Sequence, residues 1–277
     1  MEAATKLRGD YGTAGEDYAV DQHWSDYSEE EHALWRRLHQ RQTALLPGYA
    51  CDAYRESLAR LDCSAGIPKF EDTNRALKRA SGWSLVAVPG LIPDLVFFKH
   101  LSERRFPVTR WLRRPEEFDY IVEPDVFHDF FGHVPMLFDP AFADYMQAYG
   151  LGGLKAARLD SLKMVARLYW YTVEFGLLRT ARGPRIYGAG ILSSGGEVLH
   201  AIDSPHPRRL MFRLERVMRT DYRIDRFQDT YFVIESFERL VSDTACDFAP
   251  IYERLRAQPA IAPDEAVQGD IAAVPDL

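Results

Sequence analysis

The chain predicts a single compact domain, mainly helical with a few short β-strands. Three observations lead there. Apolar residues recur at helical spacing through much of the chain, while the runs that read as strands span only five to eight residues. Nothing in the 277 residues is a repeat, a low-complexity run or a linker long enough to divide the chain.

In order along the chain, residues 1–24 are polar, acidic and aperiodic, and are expected to be poorly ordered. Ser28 with Glu31 makes a capping box, and Leu34, Trp35, Leu38 and Leu45 follow on one face of a helix that Pro47-Gly48 should stop. Ala53, Tyr54, Ser57, Leu58 and Leu61 mark a second helix, and residues 72–80 a third that ends before Gly82. SLVAV (Ser84–Val88) is short, apolar and closed by Pro89-Gly90, which predicts a strand. Pro93 can open a helix through Phe97, Phe98 and Leu101.

The apolar periodicity of residues 160–179 predicts one long helix with Glu174 late in it. The glycine-rich RIYGAGILSSGGE (residues 185–197) reads as strand and turn, and TYFVIESF (residues 230–237) passes from strand into a final helix. Residues 258–277 carry three prolines, four acids and no basic residue. They are expected to form a poorly ordered tail, leaving residues 25–257 as the folded domain.

The composition, 47% hydrophobic and 27% charged with a net charge of -7, is that of an ordinary globular protein. It gives no reason to expect nucleic acid or an anionic membrane as partner; a small neutral or zwitterionic substrate fits better. Cys51, Cys63 and Cys246 include no pair at two-residue spacing, and read as free thiols in a reducing compartment. No stretch has the length of about 20 apolar residues that spans a bilayer, and the N-terminus has no signal-peptide core. A cytoplasmic location is expected.

Chemistry concentrates in EPDVFHDFFGHVP (residues 123–135) and LYWYTVEFGLL (residues 168–178). His128, His133 and Glu174 together offer two imidazoles and one carboxylate. Such a set suits a non-haem iron(II) centre that activates O₂, and equally a catalytic zinc that activates water. A lone histidine among aromatic residues is more often a packing residue, and a salt-bridged structural Glu174 is the matching alternative. Yet a carboxylate among Tyr169, Tyr171 and Phe175 is expensive to bury without a cation beside it.

Five residues of α-helix turn through about 500°, which leaves His128 and His133 roughly 140° apart. The helix is therefore expected to loosen at Gly132, before Pro135, with His133 at its end or just beyond. In the HExxH arrangement, by contrast, four-residue spacing keeps both histidines on one face. Two rival classes stand beside an iron oxygenase at this point. One is a zinc hydrolase with Asp129 as general base, and the other a non-catalytic small-molecule-binding protein.

These segments, with RIYGAGILSSGGE, resemble the aromatic amino acid hydroxylases that use iron and tetrahydropterin. The resemblance runs roughly from Ser28 to Pro250 with the motifs in the family's order, and is strongest to the short bacterial-type phenylalanine 4-hydroxylases. It implies the family's catalytic domain, with Fe(II) held by His128, His133 and Glu174. It implies that Arg113, or its neighbour Arg114, pairs with the substrate's α-carboxylate, that Asp125 holds that arginine, and that Trp170, Gly190 and Ser193 shape the substrate pocket and steady the ligands.

On the cofactor side, the strip VAVPGLIPD (residues 86–94) resembles the family's pterin-binding segment. Val88, Gly90, Leu91 and Ile92 would meet the pterin's polar edge, the Phe97 ring would stack on it, and Asp129, Ala166 and Tyr169 would complete that side. The chain departs from the animal enzymes at Asp129 (glutamate there), Pro107 (histidine) and Ile121 (threonine). Ile224 matches a position that is apolar in phenylalanine hydroxylases and acidic in tyrosine hydroxylases. The implied reaction is hydroxylation of L-phenylalanine to L-tyrosine with O₂, hydroxylation of tryptophan or tyrosine being the runner-up. With no heptads after Arg256 and no regulatory domain, a monomer is expected.

Overall fold

The computed structural model describes residues 8–119, 121 and 123–273. Its body is helical: α1 (Glu29–Tyr49), α2 (Asp52–Leu58), α3 (Phe70–Ala80), α4 (Asp94–Ser102), α5 (Pro140–Arg158), α6 (Leu162–Tyr169), α7 (Ala189–Leu192), α8 (Gly195–Ile202), α9 (Leu214–Arg219), α10 (Phe237–Thr244) and α11 (Ala249–Arg256). Two small sheets complete it. β1 (Ser84–Val88) pairs in parallel with β2 (Arg105–Thr109), with α4 as the crossover. The second sheet runs in the order β4-β3-β6-β5, from β3 (Leu177–Thr180), β4 (Gly183–Ile186), β5 (Arg208–Met211) and β6 (Thr230–Ile234). The mainly helical, single-domain architecture expected from the sequence is the one found.

The start of α1 is built as the sequence implies: Ser28 N donates to Glu31 Oε2 at 2.8 Å, and Glu31 N to Ser28 Oγ at 3.2 Å. Its end is not. Pro47 and Gly48 lie inside α1, which continues to Tyr49. Burial of Leu46 against the core and the bond from Cys51 N to Ile186 O at 2.9 Å hold the last turn against the proline's lost donor.

An aromatic core explains why the segment around residue 128 is fixed. Trp35 of α1 meets Phe127 edge-on at 5.1 Å and Phe130 at 5.9 Å, and Phe127 stacks on Phe131 at 4.9 Å. The Tyr54 hydroxyl of α2 donates to Phe131 O at 2.6 Å. Trp35, Tyr54, Phe127, Phe130 and Phe131 are all buried, so the main chain between the histidines cannot rotate freely.

Three further expectations are corrected. Residues 160–179 are not one helix: α6 stops at Tyr169, Trp170–Glu174 form a π-turn, and Leu177 enters β3 opposite Ile186 and Val233. Ladder pairing of Leu177 and Leu178 with β6 takes precedence over their helical periodicity. The glycine-rich segment supplies β4 and then α7 and α8, because its glycines permit close packing rather than turns. A Cβ on Gly188 would lie 2.5 Å from Glu174 O.

Both flanks expected to be poorly ordered are docked where they are described. Val20 N donates to Ala87 O of β1 at 2.9 Å, and Arg8 N to Glu123 Oε2 at 3.2 Å; the earliest part of that expectation, residues 1–7, lies outside the described residues. Ile261 is 3% exposed, Ile261 N donates to Arg219 O at 2.8 Å, and Met211 N to Ile271 O at 2.8 Å. The C-terminal segment thus adds an edge contact to β5, satisfying main-chain groups that composition alone would leave to water; residues 274–277 of the expected tail lie outside the described ones. Cys51 and Cys63 are buried and Cys246 is exposed, all three as free thiols. Among the described residues no helix is long and apolar enough to cross a membrane.

Candidate metal and substrate site

His128–His133 form a π-helical stretch, entered from a short helical lead and followed at once by the 3₁₀ turn Val134–Phe138. This corrects the expected loosening at Gly132. The helix is widened, not opened, and a widened turn with i→i+5 bonding returns residue 133 to the face of residue 128. Gly132 serves a different end: a Cβ there would lie 2.9 Å from both Cβ and O of Ala189, so glycine lets α7 pack directly on the ligand helix.

Glu174 arrives from a second widened turn, in which Phe175 N donates to Trp170 O at 2.8 Å. Its Oε1 lies 3.2 Å from His133 Nε2 and its Oε2 3.5 Å from His128 Nε2. One ligand atom from each of the three residues falls within 4.8 Å of the others. Burial pushes the Glu174 carboxyl upward, but the imidazoles of His133 and His128 outweigh it and hold the group below its ordinary value. Three donors converging with their polar ends together, among buried rings, fit a cation between them.

The donors are themselves oriented. His128 Nδ1 lies 2.9 Å from Ser193 Oγ, which also donates to Ala189 O at 2.9 Å, so the imidazole turns its Nε2 toward Glu174. His128 N donates to Asp125 Oδ1 at 2.9 Å. Asp125, wholly buried, also receives Arg113 Nε at 2.8 Å on Oδ2 and Arg113 Nη2 at 2.9 Å on Oδ1. That bidentate pair leaves Arg113 Nη1 with no hydrogen bond to the described residues. Arg113 is 3% exposed, whereas Arg114 is exposed and engages Glu117 through its main-chain N and carbonyl. Asp129 Oδ2 accepts from Thr109 N at 2.7 Å, and burial raises its carboxyl above the ordinary range.

Arg113, His128, Trp170, Glu174, Gly190 and Ser193 all line one cleft of about 330 Å³, together with Leu91, Ile121 and Ile224. The other residues expected to hold the pterin stand apart from it. Tyr169 faces His133 with ring centroids 6.3 Å apart and meets Phe97 edge-on at 5.6 Å; Ala166 is on α6 one turn before Tyr169. Ile92, with Leu91, borders a neighbouring hollow of about 730 Å³ shared with Tyr11 and Tyr18. Val88 O is already taken by Arg110 N at 3.1 Å, and Gly90 lies so near Tyr11 that a Cβ would stand 2.8 Å from the Tyr11 hydroxyl.

Sequence reasoning passed over three residues of the cleft, Glu197, Phe227 and Gln228, and Tyr222 behind its Trp170 wall. Gln228 Oε1 accepts from the Trp170 indole N at 2.9 Å, and Tyr222 stacks on that indole at 4.2 Å. Glu197 and Phe227 complete the wall. Glu197 is 4% exposed; burial pushes its carboxyl up to about 7, although the Tyr231 hydroxyl and Gln228 N pull the other way. Glu197 closes the glycine-rich RIYGAGILSSGGE segment, whereas Tyr222, Phe227 and Gln228 share a loop with Ile224, and nothing local in the sequence ties any of them to Trp170.

A family model described as "Biopterin-dependent aromatic amino acid hydroxylase" matches residues 14–254. A phenylalanine-4-hydroxylase of Ralstonia nicotianae is 57% identical over 255 residues, covering 92% of this chain and 82% of the relative. The Chromobacterium violaceum phenylalanine-4-hydroxylase is 58% identical over 257 residues, covering 91% and 86%. The crystal structure of the latter with iron and phenylalanine bound superposes with a TM-score of 0.90 at 53% identity, covering 96% of each chain. Its cobalt-bound form gives a TM-score of 0.93 at 54% identity, covering 94% and 95%.

Proposed function

The chain belongs to the biopterin-dependent aromatic amino acid hydroxylases, and from that premise we propose that it is an iron- and tetrahydropterin-dependent phenylalanine 4-monooxygenase making L-tyrosine from L-phenylalanine and O₂. The observation that carries the reading is one cleft in which His128 and Glu174, the Arg113 guanidinium and the Trp170 ring meet. His128, His133 and Glu174 hold the iron. Bound there, iron would supply one oxygen atom of O₂ to the substrate ring, the tetrahydropterin giving two electrons and carrying the other oxygen atom away as its 4a-hydroxy form.

The chain's own residues do the rest. Arg113, braced on Asp125, offers Nη1 to the α-carboxylate of the amino acid. Trp170 gives a flat apolar wall for the substrate ring, and Gly190 keeps that wall thin: a Cβ there would press on Phe175 at 2.8 Å. Ser193 fixes the His128 imidazole. Ile224 at the mouth favours a ring without a hydroxyl, which supports phenylalanine over tyrosine. Val88, Gly90, Leu91, Ile92, Phe97, Asp129, Ala166 and Tyr169 form the pterin side, with Leu91 bordering both hollows. Asp129 bonds to Thr109 N and does not line the cleft, which argues against a general base in a zinc hydrolase.

We place the catalytic unit in residues 25–257 and the protein, as a monomer, in the cytoplasm; the three free thiols support a reducing compartment. The test is to incubate the protein with Fe(II), a tetrahydropterin and O₂, separately with phenylalanine, tyrosine and tryptophan, and to identify the products. Tyrosine from phenylalanine is expected, lost on chelation and restored by Fe(II). Absence of any hydroxylated product would refute the reading.

A further inference from the structure

Trp170 forms a wall of the cleft, and what fixes it lies outside the metal triad. Its indole stacks on Tyr222 at 4.2 Å and 13°, with Phe175 at 4.6 Å. Stacking sets the plane of the ring but lets it slide within that plane. The indole N–H removes this freedom by donating to Gln228 Oε1 at 2.9 Å.

Gln228 is buried and fully used. Its Nε2 donates to the carbonyls of Arg223 at 3.0 Å and Arg226 at 3.4 Å, closing the 222–228 loop on itself. Its main-chain N donates to Glu197 Oε1 at 3.1 Å. The same oxygen accepts the Tyr231 hydroxyl from β6, so one carboxylate on α8 pins both the end of the loop and the strand that follows. A glutamate is costly at such depth unless its position is needed.

We propose that Glu197 and Gln228 are positioning residues for the aromatic substrate: Glu197 anchors the main chain at residue 228, and Gln228 closes the loop and holds the Trp170 indole, so the wall that meets the substrate ring is set from behind. They act through Trp170 rather than on the reacting atoms. The inference rests on the reading of this cleft as the phenylalanine site. A mere brace between α8 and β6 would instead move stability and leave both substrates equally affected.

Steady-state kinetics on the full-length, iron-loaded enzyme separate the two. Gln228→Leu should raise the KM for phenylalanine about fivefold to tenfold, the scale of one to two lost hydrogen bonds, with the pterin KM within about twofold of wild type. It should also lower the tyrosine formed per pterin oxidised. Trp170→Phe should behave alike, and the double variant should be no worse than either single by more than about twofold, because both break the same contact. Glu197→Ala should follow Gln228→Leu, whereas Glu197→Gln, which keeps the acceptor for Gln228 N and Tyr231, should recover near wild-type constants.

If Gln228→Leu fails to fold, Gln228→Glu carries the test. It keeps the indole's acceptor, loses the donors to the loop carbonyls, and should raise the phenylalanine KM about threefold. A phenylalanine KM unchanged in the folded variant, an equal rise in the pterin KM, or multiplying effects in the double variant would each overturn the inference. Wild type assayed alongside keeps the outcomes distinct: no tyrosine from it removes the functional reading, while wild-type turnover with indifferent variants removes only the positioning role.

Discussion

At the scale of single residues, Glu197 links the cleft to pH. Its carboxyl is pushed up to about 7 from an ordinary 4.5, so the folded protein binds that proton more tightly than the unfolded chain. The stability contributed by protonated Glu197 is therefore complete below pH 4.5 and lost as pH rises through 7. Glu197→Gln cannot ionise, and its stability relative to wild type should rise between pH 5 and 8 by on the order of 3 kcal/mol, then level off. Thermal melts of both proteins across that range check it; a difference that stays flat with pH counts against the shift. The iron ligands were legible in the sequence because two histidines and a glutamate stand inside recognisable segments. Gln228 and Tyr222 were not, since Gln228 reaches Trp170 across 58 residues and Tyr222 meets it only by stacking, and no local pattern records either contact.

At the scale of elements, both ligand-bearing helices are widened, and helical periodicity read from sequence assumes 3.6 residues per turn. That assumption broke the helix at Gly132, with His133 at its end or just beyond, and ran α6 through Arg179. The true constraint is tertiary: Gly132 touches Ala189, and β3 claims Leu177. Gly132→Ala should press α7 away from the ligand helix, moving Ser193 off the His128 imidazole. A loss of about 1–3 kcal/mol in stability, with weaker Fe(II) binding in a metal-competition titration, is the expected result. Wild-type affinity in that variant would mean the contact yields cheaply. The first helix and β1 were readable because a capping box and a Pro-Gly stop are local signals; α5 also opens on such a signal, Asp139 capping Phe142 N with Pro140 at its first position, but Gly150, Gly152 and Gly153 in its interior obscure the helical pattern.

At the scale of the molecule, composition made the C-terminal segment look unstructured, yet one buried ion pair ties it down. Arg216, 6% exposed, donates to Asp270 Oδ1 at 2.9 Å, to Thr220 Oγ1 at 2.7 Å and to Glu265 O at 2.8 Å. Removing Asp270 leaves a buried guanidinium without its partner. Asp270→Ala should cost about 3 kcal/mol and lower Tm by roughly 5–10 °C, with the phenylalanine KM unchanged, since the pair lies on the β5 side of the fold. Calorimetry beside the hydroxylation assay tests both halves. Charge counting could not reveal this contact because Arg216 and Asp270 are 54 residues apart, and no local pattern pairs them.

The widened turn at His128–His133 can also be counted in chain length. It equals an ordinary helical turn with one residue inserted, so deleting a residue between the two histidines would leave them at the four-residue spacing that an α-helix presents on one face. Everything after His133 would then be turned by about 100° relative to its packing partners. The imidazole pair would survive such a deletion, and Glu174 would no longer face it.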